Sequence, residues 1–204
     1  MPEPARHSRR SDVNREHLVN AAAALFWNRG YSGTSLADIA RQSGVPLGNI
    51  YYYFKTKAAI AEAVGAMLQD QTRDALEMIN AEHDAPADRL VSLFRLFAAA
   101  NQARTENGCP IATACHGFGA DAPEASKQAA GAFALLQDWI AANLVAIGQD
   151  LADAHRQAET WLALWQGGIA LAHGQKDQAL LERITDRLVA EAADFRSNRV
   201  DRQA

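Results

Sequence analysis

The sequence predicts an all-α protein of roughly nine helices, with an N-terminal three-helix helix-turn-helix domain followed by a C-terminal helical domain. Apolar residues recur at intervals of three and four through most of the 204 residues, which is the spacing of helices with one buried face. No stretch alternates apolar and polar residues for long enough to predict a strand. Residues 34–57, TSLADIARQSGVPLGNIYYYFKTK, carry the helix-turn-helix pattern.

The N-terminal region begins with residues that lack an apolar pattern. Residues 1–11 contain two prolines and three arginines, which predicts a disordered basic arm. Such an arm is either a solvated tail or a segment that follows phosphates or enters a minor groove. The helix-turn-helix domain is predicted over residues 12–57. Its first helix covers 12–29, with Leu18 and Phe26 on the apolar face and Gly30 at the end.

The helix-turn-helix prediction rests on turn chemistry as well as on spacing. Thr34 or Ser35 can cap the second helix through a side-chain oxygen. Ala40 allows close helix approach, Gly44 supplies a left-handed corner, and Ile50 anchors the third helix. These residues follow one another in the order that a helix-turn-helix requires. A buried helical hairpin with a polar face is the alternative interpretation.

The third helix carries residues that a core-forming helix does not need. Three consecutive tyrosines at 51–53 can donate hydrogen bonds to phosphate oxygens, and two lysines follow them. Asn49 has the amide required for a bidentate contact with adenine. The residues predicted to contact DNA are Thr34, Ser35, Pro46, Leu47, Gly48, Asn49, Tyr51, Tyr52, Tyr53, Lys55 and Lys57. The base-edge candidates among them are Leu47, Gly48 and Asn49, and the phosphate candidates are Thr34, Tyr51, Tyr52, Lys55 and Lys57.

The charge distribution favours a polyanion as the partner of the N-terminal part. Residues 1–57 carry eight basic and four acidic residues, whereas the remainder carries twelve basic and twenty acidic residues. A basic N-terminal part (the head) joined to an acidic remainder (the body) directs the N-terminal part toward a polyanion. With 49% hydrophobic and 22% charged residues, the composition is typical of a globular protein. We find no apolar run that predicts a signal peptide or a membrane span, so we expect a cytoplasmic protein without a membrane partner.

The second domain, residues 58–204, is predicted to be helical throughout. Thr56 caps a long helix that would join the two domains as a rigid rod. The predicted helices run over 56–80, from 84 to a break at 106–108, irregularly over 109–119, from 121 to about 147, and over about 152–173 and 177–196.

The N-terminal residues resemble the tetracycline-repressor (TetR) family of transcriptional regulators. The resemblance runs from about residue 12 to residue 67, through VNREHLVNAAAALFWNRGYSGTSLADIA and GVPLGNIYYYFKTKAAI, and includes the patterns G-Y-x-x-T-S and Y-Y-x-F-K-x-K. It implies a homodimer on a pseudo-palindromic operator, with the third helix of each subunit in a major groove. It also implies a repressor that a small molecule, bound in the second domain, releases from DNA through movement of the fourth helix.

The cysteine segment is the only place where the sequence suggests enzyme chemistry. Cys109, Cys115 and His116 are nucleophile and base types. Adjacent residues such as Cys115 and His116 project about 100° apart on a helix, and Cys109 is about two turns from His116, too far for a hydrogen bond. The three residues match no common zinc spacing. We therefore predict no catalytic residue, no metal site and no cofactor. The two cysteines do not predict a disulfide framework.

Cys109 is either a packed core residue or a sensor thiol. A cysteine without a disulfide commonly packs as a small buried hydrophobe. The segment NGCP at residues 107–110 resembles a TetR subgroup that responds to reactive electrophiles or small unsaturated acids, in some of which a cysteine here is the reactive group. If Cys109 begins the short sixth helix, the helix N-terminus favours its thiolate. An electrophile is thus one class of inducer that the resemblance implies.

Two further sets of residues are predicted in the second domain. A ligand pocket among its aromatic residues would include Phe94, Phe97, Cys109, Cys115, His116, Phe118, Trp139, Trp165 and Gln166. A four-helix dimer interface from the last two helices would include Trp161, Trp165, Gly168, Ile169, Leu181, Ile184 and Leu188. The alternative for both sets is an intramolecular core.

The sequence therefore predicts a DNA-binding transcriptional regulator, most simply a repressor. Two other classes stay open at this point. One is a helical protein-interaction module without DNA binding, which the basic head and the tyrosine cluster argue against. The other is an enzyme built around Cys109, which lacks a base at usable spacing.

Overall fold

The computed structural model describes the backbone of residues 4–197 and the side chains of residues 11–195. All regular structure in this part of the chain is helical, which confirms the all-α prediction. The helices are α1 (Pro4–Arg29), α2 (Leu36–Ser43), α3 (Leu47–Tyr53), α4 (Lys57–Glu82), α5 (Pro86–Ala99), α6 (Asn101–Asn107), α7 (Pro110–Gly117), α8 (Pro123–Ile147), α9 (Leu151–Gln175) and α10 (Gln178–Ser197), with a 3-10 turn at Gly119–Asp121.

The chain divides into two compact units whose limits differ from the predicted domains. The head unit contains the residues up to 69 together with 110–131, and the body unit contains 70–109 and the residues from 132 onward. The predicted boundary at residue 57 therefore moves into α4. Residues 110–131 join the head because their apolar side chains pack into its core, which no local sequence pattern reveals.

Two stretches differ from the predicted secondary structure. The backbone of residues 4–11 is helical and belongs to α1, whereas we expected a disordered arm. A proline is tolerated in the first turn of a helix, and no further proline or glycine interrupts residues 5–11. Residues 1–3 lie outside the described residues. The second difference is α6, a short additional helix after α5, which ends at Gly108 with a φ of 79°.

The helix-turn-helix is held by local chemistry. Ser35 is the N-cap of α2, and its hydroxyl accepts the backbone N–H of Asp38. The Asp38 carboxylate accepts the Ser35 hydroxyl and backbone N–H in return, and these hydrogen bonds lower the pKa of Asp38 to about 2. Gly44 turns the chain in the left-handed region with a φ of 72°. Pro46 precedes α3 as its N-cap residue.

The head core fixes the orientation of α3. Ile50 on its inner side and Phe54 directly after its last residue are buried. Leu18, Ile39 and Ile60 are buried in the same core. Burying side chains of this size contributes about 1.5–3 kcal/mol each. The short α3 thus depends on tertiary packing, since an isolated helix of 7 residues is unstable in water.

Helix α8 corrects one sequence-based expectation. Its length and composition alone would allow it to cross a membrane, although we had found no such run. In the head unit, α8 instead packs closely on α4. A side chain at Gly65 would lie 2.7 Å from the Ala125 carbonyl oxygen, so only a glycine permits this approach. Within the body unit, Leu136, Ile140 and Leu144 of α8 are also buried, as expected for a core helix.

The body unit is built on α5, α9 and α10. Phe94 of α5 meets the ring of Trp161 edge-on at 5.1 Å between centroids. Phe97 stacks on Trp165 with a centroid distance of 3.6 Å and an interplanar angle of 6°. The Trp161 indole N–H donates to Glu191 of α10 at 2.7 Å. These contacts place the large aromatic side chains of α9 inside the protomer.

Candidate nucleic-acid interface

The outer face of α3 is an exposed surface of mixed aromatic and polar character. Tyr52 is 75% exposed, Tyr51 is 50% exposed and Leu47 is 43% exposed. Gly48 and Asn49 are also exposed, whereas Ile50 between them is fully buried. The helix therefore divides into one side that packs on the head and one side that can enter a groove. We call Leu47, Gly48, Asn49, Tyr51 and Tyr52 the α3 surface.

Three of the predicted DNA contacts also hold the head together. The Tyr53 hydroxyl accepts a hydrogen bond from the Asn14 amide at 3.2 Å. The Lys55 ammonium donates to the Tyr51 carbonyl at 2.8 Å, at the C-terminal end of α3. The Lys57 ammonium donates to the Tyr31 carbonyl and lies 4.0 Å from the centroid of that ring. Lys55 remains exposed, while Lys57 is half-buried.

Burial affects the two groups of the Lys57–Tyr31 contact. Desolvation lowers the pKa of Lys57, and the carboxylate of Asp121 opposes that effect. Desolvation also raises the pKa of Tyr31, and Asp121 adds to the increase. The ammonium is therefore already used within the head, so Lys57 is a weaker phosphate candidate than the sequence suggests.

Thr34 does not have the exposed position that a phosphate contact needs. It is only 2% exposed, and its hydroxyl donates to the Gly30 carbonyl at 2.9 Å. The hydroxyl closes the turn between α1 and α2, and Ser35 alone provides the cap. We therefore remove the Thr34 side chain from the candidate interface. Ser35 and Pro46 are exposed beside α2 and α3.

One charged residue near the α3 surface was missed in the sequence. Arg15 of α1 is exposed, and its guanidinium carbon lies 5.1 Å from the centroid of the Phe54 ring, just after α3. This cation–π contact places a positive charge near the C-terminal end of α3. The residues are 39 positions apart, so only the tertiary fold brings them together.

The residues of the predicted ligand pocket fall into different units. Cys115, His116 and Phe118 belong to the head. Phe118 packs there against Phe26 and Tyr31 at centroid distances of 5.5 and 5.6 Å, and His116 is exposed at the end of α7. These three residues therefore lie in a different unit from Phe94, Phe97 and Trp165.

The remaining pocket candidates lie in the body. Phe94 and Phe97 are buried in its aromatic core, while half-buried Trp139 donates to Asn80 at 3.1 Å. Cys109 is buried directly before α7, and the Gln166 amide donates to its sulfur at 3.6 Å. Trp165 is buried with the indole N–H unpaired. A separate cavity of about 280 Å³ is lined by Ala85, Pro86, Ala87, Asp88, Ala146, Ile147 and Phe195.

Most of the predicted dimer interface is core within one protomer. Six of the seven residues are buried there: Trp161, Trp165, Gly168, Ile169, Leu181 and Leu188. Half-buried Ile184 packs at Gly168, where an added Cβ would lie 2.7 Å from the Ile184 Cδ1. These side chains therefore belong to the core of one protomer, which was the alternative interpretation of their spacing. The apolar spacing of these residues correctly indicated that they are buried. They pack against α5 and α10 of the same chain.

Potential metal ligands do not cluster in the part of the chain that the structure describes. No group of three or more His, Cys, Asp or Glu residues there could hold a metal ion. Cys109 and Cys115 form no disulfide.

The chain matches two family models that cover its two halves. Residues 18–64 match the model described as bacterial regulatory proteins, tetR family. Residues 86–187, half of the chain, match the C-terminal domain of LmrA/YxaF-like transcriptional regulators.

Characterised and uncharacterised regulators are similar to this chain. The repressor DhaR of a Mycobacterium species is 34% identical over 98 residues, which is 48% of each chain, so the match spans about half the length of that relative. An uncharacterised HTH-type transcriptional regulator of Mycobacterium tuberculosis is 29% identical over 185 residues, which is 83% of this chain and 89% of the relative. The regulator LmrA of Bacillus subtilis is 46% identical over 57 residues, which is 26% of this chain and 30% of the relative.

Solved structures support the same assignment. A TetR regulator from Chloroflexus aurantiacus has a TM-score of 0.76 and 25% identity, with 89% of this chain and 95% of that chain covered. The reduced form of Escherichia coli NemR has the same fold, with a TM-score of 0.71, 18% identity, and coverage of 86% and 94%. Together with the exposed α3 surface on a capped helix-turn-helix, the matches show that this chain belongs to the TetR family of DNA-binding transcriptional regulators.

Proposed function

We propose that this regulator is a cytoplasmic homodimeric repressor that binds a pseudo-palindromic operator and leaves it when a small molecule binds the body unit. The α3 surface is the observation that carries the proposal, because its exposed side chains are of the kinds that contact phosphates and base edges. No enzymatic role is proposed, since the family acts through DNA binding.

The residues of the α3 surface divide into two roles. Leu47, Gly48 and Asn49 lie in the first turn, which a helix-turn-helix directs at base edges. Tyr51 and Tyr52 lie further along and reach the phosphates. Lys55 adds a positive charge at the C-terminal end, together with Arg15.

The dimer contact that we propose uses the outer side of α9. Ala163, Gly167 and Leu171 follow one another at intervals of four and are all exposed. Leu171 is 53% exposed, and nothing lies within 4 Å of a Cβ built at Gly167. Small residues allow two helices to approach closely, so a second copy of this chain is the partner that fits. The buried tryptophans lie on the other side of α9, where they are part of the protomer core.

Asn49 provides a direct test of whether the α3 surface recognises individual base pairs of the operator. We expect Asn49→Ala to relax discrimination at one base pair in each half-site by about 1–3 kcal/mol, because the amide pairs with one base edge. The operator is first isolated by capture of genomic promoter fragments, and binding is then measured against all substitutions of each position. Gln42→Ala is the matched control, since Gln42 is an exposed amide on α2 outside the α3 surface. A uniform loss across all sequences would instead place Asn49 on a phosphate.

Cys109 remains a proposed sensor of electrophiles. Its thiolate would add to the β-carbon of an enone, forming one S–C bond while the C=C π bond breaks, and a proton would then reach the α-carbon. The added volume would fall in a packed interior, and packed interiors respond by shifting. The burial of Cys109 and its Gln166 contact equally support a packing role, so an experiment must separate the two.

The sensor role predicts that an enone or methylglyoxal releases the wild-type protein and Cys115→Ser from operator DNA. Methylglyoxal would react at its aldehyde carbon instead of at a C=C bond, and the S–C bond forms there as the C=O π bond breaks and the oxygen takes a proton. Cys109→Ser should stay bound, because it lacks the reactive sulfur. Release is followed by fluorescence anisotropy of labelled operator, and mass spectrometry identifies the adduct. Equal release from all three proteins, or release from none, would exclude Cys109 as the sensor and leave a reversible ligand in the body.

A further inference from the structure

Arg104 of α6 is a half-buried charged residue of the body unit. Its guanidinium carbon lies 4.8 Å from the centroid of the Trp165 ring and 5.9 Å from that of Phe97. Among the described residues, no ion pair within 4 Å includes Arg104. One terminal nitrogen donates to the Phe97 carbonyl at 3.2 Å, and Nε is buried with no partner. An arginine stays charged in such a place, and no carboxylate among the described residues lies within ion-pair distance of it.

A second donor beside Arg104 is also unsatisfied. Trp165 is 1% exposed, and its indole Nε1 has no hydrogen-bond partner. A tryptophan that is buried this deeply normally finds an acceptor for its N–H. Leaving a buried donor unpaired costs about 1–3 kcal/mol when measured by mutation. The guanidinium carbon of Arg104 lies 4.8 Å from the centroid of the ring that carries the second unpaired donor.

The neighbouring groups add a further donor but no carboxylate. The Gln166 amide donates to the Cys109 sulfur at 3.6 Å. Burial lowers the pKa of Arg104, and Cys109 opposes that effect. Arg104, Trp165 and Gln166 thus present N–H donors in one region, with the Phe97–Trp165 stack as an apolar wall. The acceptors that the described residues offer to these donors, the Phe97 carbonyl and the Cys109 sulfur, are not carboxylates.

We propose that Arg104 and Trp165 form the recognition site for the carboxylate of a small organic acid, whose apolar part lies against the Phe97–Trp165 stack. A carboxylate offers two oxygens that accept from a guanidinium in a bidentate manner, and it can accept from an indole N–H as well. The bound acid supplies the ion pair that no described residue makes with Arg104. This assignment rests on the proposed release by a small molecule, since it names the chemical class of that ligand.

The first test uses binding without DNA. Acetate, propionate, benzoate and cinnamate are compared with their neutral amides at constant sodium concentration, by thermal unfolding of the full-length protein. At least one acid should raise Tm in a concentration-dependent manner, while its amide should not. If no acid of the four changes Tm, or if sulfate gives the same shift, the carboxylate site is refuted.

Variants of Arg104 and Trp165 then locate the site. Arg104→Met and Trp165→Phe should each weaken the binding of the active acid by about 10- to 100-fold, because each removes a donor to a charged group. Arg95→Met is the matched control, since Arg95 is an exposed arginine of α5 in the same unit. Binding that survives Arg104→Met unchanged would place the acid elsewhere and overturn the proposal.

The stability of the ligand-free variant separates recognition from a structural role. Without its anion, the Arg104 charge contributes no ion pair, so Arg104→Met should leave Tm unchanged or raise it. A structural arginine would instead lower Tm when it is replaced. A fall of several degrees together with unchanged acid binding would make Arg104 a structural residue.

Operator release is measured separately, so that the two proposals can fail independently. Acid binding at Arg104 without release from DNA would leave this site standing and refute the proposed control of repression. Operator binding and release by a neutral compound, with no acid bound, would support repression and refute the carboxylate site.

Discussion

A Tyr51→Ala, Tyr52→Ala double variant should bind operator DNA and random DNA on the order of 100-fold more weakly than the wild type. Each phenol is half or more exposed on the α3 surface and can donate one hydrogen bond to a phosphate. Hydrogen bonds to charged groups contribute about 1.5–3 kcal/mol each. Because phosphates carry no base identity, the loss should be the same for both kinds of DNA. Fluorescence anisotropy at moderate salt measures both affinities.

The salt dependence distinguishes the tyrosines from the charged residues around them. A neutral phenol displaces no counterion, so the double variant should keep the wild-type slope of log affinity against log salt. Lys55→Ala should lower that slope by about one, because one phosphate is no longer neutralised. Tyr53→Phe is the control, since the Tyr53 hydroxyl already accepts from Asn14. Wild-type affinity of the double variant for both DNAs would remove the tyrosines from the interface.

Gly167→Arg should convert the dimer into a monomer and reduce operator affinity on the order of 100-fold. The substitution puts a charge at the centre of the outer side of α9, where close approach of two helices is proposed. Within one protomer the arginine meets nothing within 4 Å, and replacing a glycine inside a helix favours that helix. The affinity falls because the two heads no longer bind their half-sites as a linked pair.

Light scattering at micromolar concentration measures the assembly, and thermal unfolding checks that the protomer stays folded. The control is Ala134→Arg, which adds the same charge to an exposed position of α8 in the body. It should leave the dimer intact. A dimeric Gly167→Arg variant with unchanged operator affinity would exclude this side of α9 as the contact between subunits.

The helix-turn-helix could be predicted from the sequence because its determinants are local. The cap at Ser35, the left-handed corner at Gly44 and the buried Ile50 each depend on neighbours within a few residues. The same chemistry predicted which side of α3 stays exposed, because the apolar residues of a short helix can face only one core. The position of Thr34 was misjudged since its hydroxyl serves a turn that also involves Gly30.

Helix α9 shows where local information was insufficient. It carries an aromatic side with Trp161, Trp165 and Ile169 and a small-residue side with Ala163 and Gly167. The sequence predicted a dimer interface on the aromatic side, with an intramolecular core as the alternative, and no prediction was made for the small-residue side. The tertiary structure places the aromatic side in the protomer core, because large rings bury far more apolar area against α5 and α10 than alanine and glycine do.

The sequence alone determined the all-helical class, the helix-turn-helix and the basic head, because helical periodicity, turn chemistry and charge are properties of neighbouring residues. Only the tertiary structure decided that residues 110–131 belong to the head and that Arg104 lies over Trp165. It also decided that Lys57 is bound to Tyr31. The Lys57–Tyr31 and Arg104–Trp165 contacts join residues 26 and 61 positions apart, and such pairings follow from how whole helices pack.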